Sequence, residues 1–274
     1  MGSLLIGLGA ILFLEERWTR YFPVFFSTFA AAMILGTREL VGMMPARVRP
    51  RLHFCIAVLI VILLANLLVQ MGQLLPFVMA FVLIGFFSLE MIRFDGLTDG
   101  ITARIAMSML VILYLGLLPS FLVQLRILSD PDGTFPSRSS WSLLLVIAVV
   151  KCGDIGAYFT GKFIAGRWLG RHRMTPLLSP QKTWEGALGG LVSSIAIACI
   201  IINQSGLLHG SIAYAVGFGF TVGIAGMLGD LAESLIKRDF QTKDASATVP
   251  GFGGVLDVVD SLLFAGPVAY LWLQ

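Results

Sequence analysis

Nine apolar stretches bounded by charges or turn residues, near residues 2–14, 21–37, 52–70, 74–92, 104–125, 140–160, 185–203, 211–236 and 254–273, decide what solvent this chain can fold in. A helix needs about 20 apolar residues to cross roughly 30 Å of hydrocarbon. A transmembrane strand would instead show alternating segments of about ten residues. The runs here are continuous, so the spacing predicts an all-α, polytopic transmembrane helix bundle of about nine spans. Composition agrees: 57% of the 274 residues are hydrophobic and 13% charged, a balance that excludes an ordinary soluble domain. The net charge of +3 is small for the length and suggests no nucleic-acid surface.

The basic residues divide unevenly between alternate loops. One set holds Arg38, Arg47, Arg49, Arg51, Arg93, Arg104, Lys162, Arg167, Arg171, Arg173, Lys182, Lys237, Arg238 and Lys243; the other holds Arg17, Arg20, Arg126 and Arg138. Cytoplasmic loops keep the positive excess, so the first set is expected to face the cytoplasm, with both termini opposite if the span count is odd. The stretch 2–14 lacks a preceding basic residue and runs into Glu15 and Glu16, which argues for a short first span over a cleavable leader. Cys55, Cys152 and Cys199 stand far apart in apolar surroundings and read as packing residues. Residues 1–140 offer little beyond spans. The polar run Arg93 to Gly100 reads as a solvated turn, and chemistry is expected in 141–274, with its long polar cytoplasmic segments 161–184 and 237–253.

Ionisable side chains inside spans are costly and require a partner, water or a task. Three clusters meet that condition. Lys151, Asp154 and Tyr158 fall on or near one helix face, either as a self-neutralising pair or as part of a site. Ser179-Pro180-Gln181-Lys182-Thr183-Trp184-Glu185 opens the next span, with Ser179 as a helix start and Glu185 in the first turn. Capping accounts for much of this, while Lys182 and Thr183 also suit phosphate oxygens at a helix N-terminus. The third cluster places Asp230, Glu233, Ser234 and Lys237 in one polar stripe, followed by Lys243-Asp244 and by Asp257 and Asp260 one turn apart on the last span.

Carboxylates gathered without histidine or thiolate favour a hard cation, Mg²⁺ above all when phosphates complete the shell, and Lys237, Arg238 and Lys243 complement an anionic substrate. The plain alternative is a membrane-surface charge patch with satisfied ion pairs. Gly156 to Lys162 has the outline of a phosphate loop but reads as helix, and Gly219, Gly223, Gly226 and Gly229 read as a face for close helix packing.

The residues 150–262 resemble the phosphatidate cytidylyltransferase, or CDP-diacylglycerol synthase, family. Its signature Ser-x-x-Lys-Arg, Lys-Asp, Pro-x-His-Gly-Gly-x-x-Asp-Arg-x-Asp is met by Ser234, Lys237, Arg238, Lys243, Asp244, Pro250, Gly253, Gly254, Asp257 and Asp260. Asp154 with Ala157-Tyr158 and Gly161, and Ser179-Pro180 with Lys182-Thr183 and Glu185-Gly186, are similar to its upstream elements. Phe252 and Val258 depart from the family's His and Arg.

The resemblance implies that CTP and phosphatidate react to CDP-diacylglycerol and pyrophosphate with Mg²⁺, on the cytoplasmic face of a bacterial-type plasma membrane. On this basis we expect Asp230 and Asp257 to ligate Mg²⁺, with Asp260 and Glu233 in support or holding a second cation, and Asp230, Asp257, Asp260 and Lys237 to be the catalytic residues. Ser179, Lys182, Thr183, Ser234, Lys237, Arg238 and Lys243 fall to the substrates, and Asp154 to orienting Lys151 or binding nucleotide. A CTP-dependent polyprenol or phytol kinase and an ion-coupled transporter are the rival readings. The packing glycines leave a homodimer open.

Overall fold

A computed structural model describes residues 12–15, 22–68, 75–92, 94, 100–128, 138–164, 172–242, 246 and 253–274. Among these the chain is helical almost throughout. We label the helices α1 (Pro23–Met43), α2 (Leu52–Leu68), α3 (Leu75–Ile92), α4 (Ile101–Arg126, with a π turn at Leu113–Leu117), α5 (Arg138–Phe159, running into a π turn at Thr160–Ile164), α6 (Trp184–Ser205), α7 (Ile212–Asp239) and α8 (Val255–Leu273). Six of them, α1 and α4 to α8, are long and apolar enough to cross a membrane, and α2 and α3 are shorter apolar helices. Eight of the nine expected stretches are thus helices among the described residues; of the first, 2–14, only Leu12 to Leu14 are described.

Side-chain exposure argues for lipid as the surrounding medium. Phe77, Phe81, Ile84 and Phe87 of α3 and Leu188, Val192 and Ile200 of α6 stand open on the outside of the bundle. Water would not tolerate so extended an apolar surface, and backbone polar groups in hydrocarbon are satisfied only within helices or closed barrels. The chain is an integral membrane protein.

Two apolar clusters make up the interior. One gathers the end of α4 (Leu122 and Leu125), α5, α6, α7 and the later part of α8 around Val146, Val149, Ile202 and Phe218. The other gathers α1 to α4 around Leu40, Ile62, Val111 and Leu115, and takes in Leu256 and Leu263 of α8. Helix α8 therefore belongs to both. Small residues let the second half pack tightly, as the sequence led us to expect. A Cβ on Gly219 would lie 2.6 Å from Ile195 Cα of α6, and one on Gly226 would lie 3.3 Å from Val150 Cγ1 of α5. A Cβ on Gly229 would sit 2.6 Å from the Asp260 carbonyl oxygen and 3.1 Å from Ser261 Cα. Only glycine at 229 allows α7 and α8 to touch there.

The polar segment before α6 holds a two-stranded antiparallel hairpin, β1 (Arg173–Thr175) and β2 (Ser179–Thr183). This corrects the expected helix start at Ser179. A residue before proline is pushed out of the α region and Pro180 itself lacks an N–H, so Ser179 and Pro180 are strand residues. The helix begins four residues later. Thr183 is its N-cap, extended at φ −120° and ψ 154°, and its Oγ1 accepts from the Gly186 N–H at 3.1 Å.

At the end of the bundle far from the hairpin, Arg126 is fully buried. Its guanidinium donates to Ser140 Oγ at 2.6 Å and the Leu12 carbonyl at 2.8 Å, and stands 3.6 Å from Glu15 Oε2. Glu15 in turn accepts the Phe25 N–H of the first turn of α1 at 3.1 Å. A buried cation with charged and carbonyl partners serves as an internal staple between helices.

Candidate active site

Asp230, Glu233 and Asp260 offer carboxylate oxygens that all lie within 4.8 Å of one another. The i, i+3 spacing puts Asp230 and Glu233 on one face of α7, and the close approach at Gly229 presses that face against Asp260 of α8. Glu233 is 1% exposed and Asp260 6%. Glu233 Oε2 accepts from Lys237 Nζ at 2.8 Å, while its buried Oε1 has no hydrogen-bond partner among the described residues. Asp260 Oδ1 accepts the Ser261 N–H. Three carboxylates this close repel one another, and the two lysines in contact with them, Lys237 on Glu233 and Lys182 on Asp230, leave the set with a negative excess, since Lys237 is shared with Asp257. An all-oxygen donor set with an unused buried oxygen fits a hard divalent ion.

Asp257, expected beside Asp230 as a ligand, is engaged differently. Its Oδ1 accepts from Lys237 Nζ at 2.6 Å, and its Oδ2 accepts the Gly254 N–H at 2.6 Å, closing the N-terminus of α8. Gly253, at φ +91°, makes the turn just before; a Cβ there would meet Asp257 Oδ2 at 2.6 Å, so glycine fits on both counts. Lys237 is thus held between Glu233 and Asp257, binding the two helices through charge.

A cavity of about 680 Å³ opens beside the acid cluster, enclosed by α5, the hairpin, the start of α6 and α7. Asp230 belongs to both: it lines this cavity and, through Oδ2, pairs with Lys182 Nζ at 2.7 Å. Ser179, Thr183 and Asp154 also line it. Asp154 accepts from Lys151 Nζ at 3.4 Å, and Lys151 donates to Ser261 Oγ at 3.0 Å, so the expected Lys–Asp pair reaches across to α8. Ser234 is half-buried on α7 and is not among the lining residues. Arg238 is turned away, donating to the Leu178 carbonyl of the hairpin turn at 3.4 Å and to the Thr242 carbonyl at 3.5 Å. Lys243, Asp244, Pro250 and Phe252 lie outside the described residues.

Three contributors, Lys162, Arg173 and Tyr114, escaped the sequence reading, whereas Tyr158 was already grouped with Asp154. Lys162, Tyr158 and Arg173 line the cavity, and Lys162 Nζ donates to Tyr158 Oη at 3.0 Å. Helix α5 passes directly into a π turn at Thr160–Ile164 that carries Lys162; such turns recur at functional sites. Tyr114, on the π turn of α4, is buried with no hydrogen-bond partner for its hydroxyl among the described residues, within electrostatic reach of Glu233, Asp260 and Asp230. Neither π turn has a sequence signal that period-counting detects.

The sequence profile of the Cytidylyltransferase family matches residues 3–274. The chain belongs to the cytidylyltransferase family. Curated relatives include phosphatidate cytidylyltransferase 4, chloroplastic, of Arabidopsis thaliana, 37% identical over 183 residues, covering 63% of this chain and 46% of that protein. The phosphatidate cytidylyltransferase of Synechocystis sp. is 36% identical over 190 residues, 62% of each chain. That of Haemophilus influenzae is 40% identical over 139 residues, 48% of this chain and 45% of the relative. The matches therefore span between 45% and 62% of the length of these relatives. In this cytidylyltransferase-family chain the cavity and the acid cluster both fall in the half that carries the signature residues.

Proposed function

We propose that the chain is a phosphatidate cytidylyltransferase, transferring the cytidylyl group of CTP to phosphatidate and releasing pyrophosphate. The observation that carries this reading is Asp230, whose carboxylate belongs at once to the acid cluster and to a cavity lined by Lys162, Arg173 and Lys182. An oxygen-only cluster beside a basic cavity matches the needs of phosphate chemistry, in which negative charge on both reactants must be neutralised. The names of the relatives support the same reaction.

In this reading Asp230, Glu233 and Asp260 would hold Mg²⁺, which supplies charge neutralisation and polarisation of phosphoryl oxygens. The chain's own residues do the rest. Lys182 exchanges Asp230 for a phosphate oxygen, Arg173 and Lys162 take further phosphate charge, and the Thr183 hydroxyl with the α6 N-terminus offers a neutral polar wall. A phosphatidate oxygen then attacks the α-phosphorus of CTP, the new P–O bond forms as the bond to the β-phosphate bridging oxygen breaks, and pyrophosphate leaves. Asp257 and Lys237 hold α7 and α8 in register throughout. The basic loops support a site facing the cytoplasm, where CTP is dissolved.

Incubation of the purified protein with phosphatidate, α-labelled CTP and Mg²⁺ tests the proposal. Labelled CDP-diacylglycerol with equimolar pyrophosphate is expected. Release of CDP with a newly phosphorylated lipid would instead assign a kinase, and nucleotide-independent ion flux in sealed vesicles a transporter.

A further inference from the structure

We infer that Glu39, on α1, is a positioning residue that fixes the start of α8 and with it the aim of Asp257 and Asp260. The inference rests on the reading of the acid cluster as the metal-binding part of the site. Glu39 is 8% exposed near the C-terminal end of α1, where it follows Thr37 and Arg38 and precedes the buried Leu40 and Val41. Its Oε1 accepts the Val255 N–H at 3.1 Å and the Ser246 hydroxyl at 2.6 Å, and its Oε2 accepts the Leu256 N–H at 2.9 Å. One carboxylate therefore holds the first two amides of α8 together with the Ser246 hydroxyl.

The first amides of a helix have no partner within it, and negative charge there is favoured by the helix dipole. Two carboxylates share the task at α8: Glu39 takes Val255 and Leu256, and Asp257 takes Gly254. This division leaves Asp257 Oδ1 for Lys237. Without Glu39, two buried amides compete for the Asp257 carboxylate, and the first turn of α8 loosens. Asp260 lies one turn further along and moves with it, away from Asp230 and Glu233. A residue from the N-terminal half thus acts on the acid cluster through backbone amides alone, without touching a substrate.

The test uses full-length protein in detergent, with Mn²⁺ as the probe followed by electron paramagnetic resonance, beside turnover with CTP, phosphatidate and Mg²⁺. For Glu39→Ala, Mn²⁺ affinity and kcat are each expected to fall about 10–100-fold, the usual scale for losing an outer-shell partner. The KM for CTP is expected to stay unchanged, because the Lys182 wall is untouched. Glu39→Asp keeps the charge and recovers part of the loss. Should Glu39→Ala fail to yield monodisperse protein, Glu39→Gln is isosteric, turns an amide donor toward one helix amide, and is expected to show the same direction of change.

Wild-type Mn²⁺ affinity and kcat in a folded Glu39→Ala or Glu39→Gln variant overturns the inference. If the wild type forms CDP-diacylglycerol and the variants bind Mn²⁺ equally well, the inference fails and the proposed activity stands. If no CDP-diacylglycerol forms but Mn²⁺ affinity still drops in the variants, the activity fails and the positioning role stands. Wild-type protein that binds no Mn²⁺ overturns the inference together with the metal assignment.

Discussion

Asp230 and Lys182 form an ion pair at the border between the acid cluster and the cavity, with both side chains partly exposed. A half-exposed pair adds little to stability, so under the proposed function its worth lies in Lys182 meeting a phosphate. Lys182→Ala is expected to lower kcat/KM for CTP by on the order of 10- to 100-fold, equivalent to about 1.5–3 kcal/mol for one charge-assisted hydrogen bond, with little change in thermal midpoint. Steady-state kinetics beside a thermal unfolding scan checks both parts. Asp260→Asn removes a buried charge from the cluster; turnover should fall by at least about 10²–10³-fold while the protein stays extractable and monodisperse. Full activity in that variant would remove Asp260 from the site. Which acids gather at the candidate site was partly legible. Asp230, Glu233, Asp257 and Asp260 stood out as charges inside spans. The sequence could not tell which of Asp257 and Asp260 meets Asp230, because that depends on how α7 crosses α8. Glu39 was invisible for a different reason: its partners are backbone amides 216 and 217 residues away, and amides carry no residue code.

Helix contacts decide that crossing. At Gly229 backbone meets backbone, so an added methyl cannot be absorbed by a flexible side chain. Gly229→Ala is expected to destabilise the protein by about 1–3 kcal/mol through overpacking and to weaken Mn²⁺ binding as Asp230 and Asp260 separate. Gly42 is the control: a Cβ there meets nothing within 4 Å, so Gly42→Ala should be neutral or stabilising by up to about 1 kcal/mol. A thermal midpoint for Gly229→Ala equal to that of Gly42→Ala would contradict this account of the interface. The small-residue face was readable from spacing, yet its three different neighbours, α6, α5 and α8, were not. The hairpin shows the complementary lesson. Ser179-Pro180 carries both a helix-start and a strand signal, and the restriction that proline places on its predecessor prevails.

For the molecule as a whole, the apolar runs located α2 to α8 to within three residues at each end, since backbone groups in lipid leave no other option, while α1 runs six residues past its stretch, to Met43. Orientation is the larger expectation, and it can be read directly. Leu177 in the hairpin turn is 97% exposed, and His209 lies beyond the other end of α6, so one transmembrane helix separates them. With the native cysteines replaced, Leu177→Cys should react with an impermeant maleimide from the cytoplasmic side and His209→Cys from the opposite side. The reverse pattern would invert the topology inferred from the basic loops.

Helix α8 comes after every other described span in the chain, and both apolar clusters include it. During synthesis neither half can finish its interior until that segment leaves the ribosome and inserts. Asp230 and Glu233 wait in the bilayer for Asp260 over the same interval. A partly made chain therefore has no assembled acid cluster.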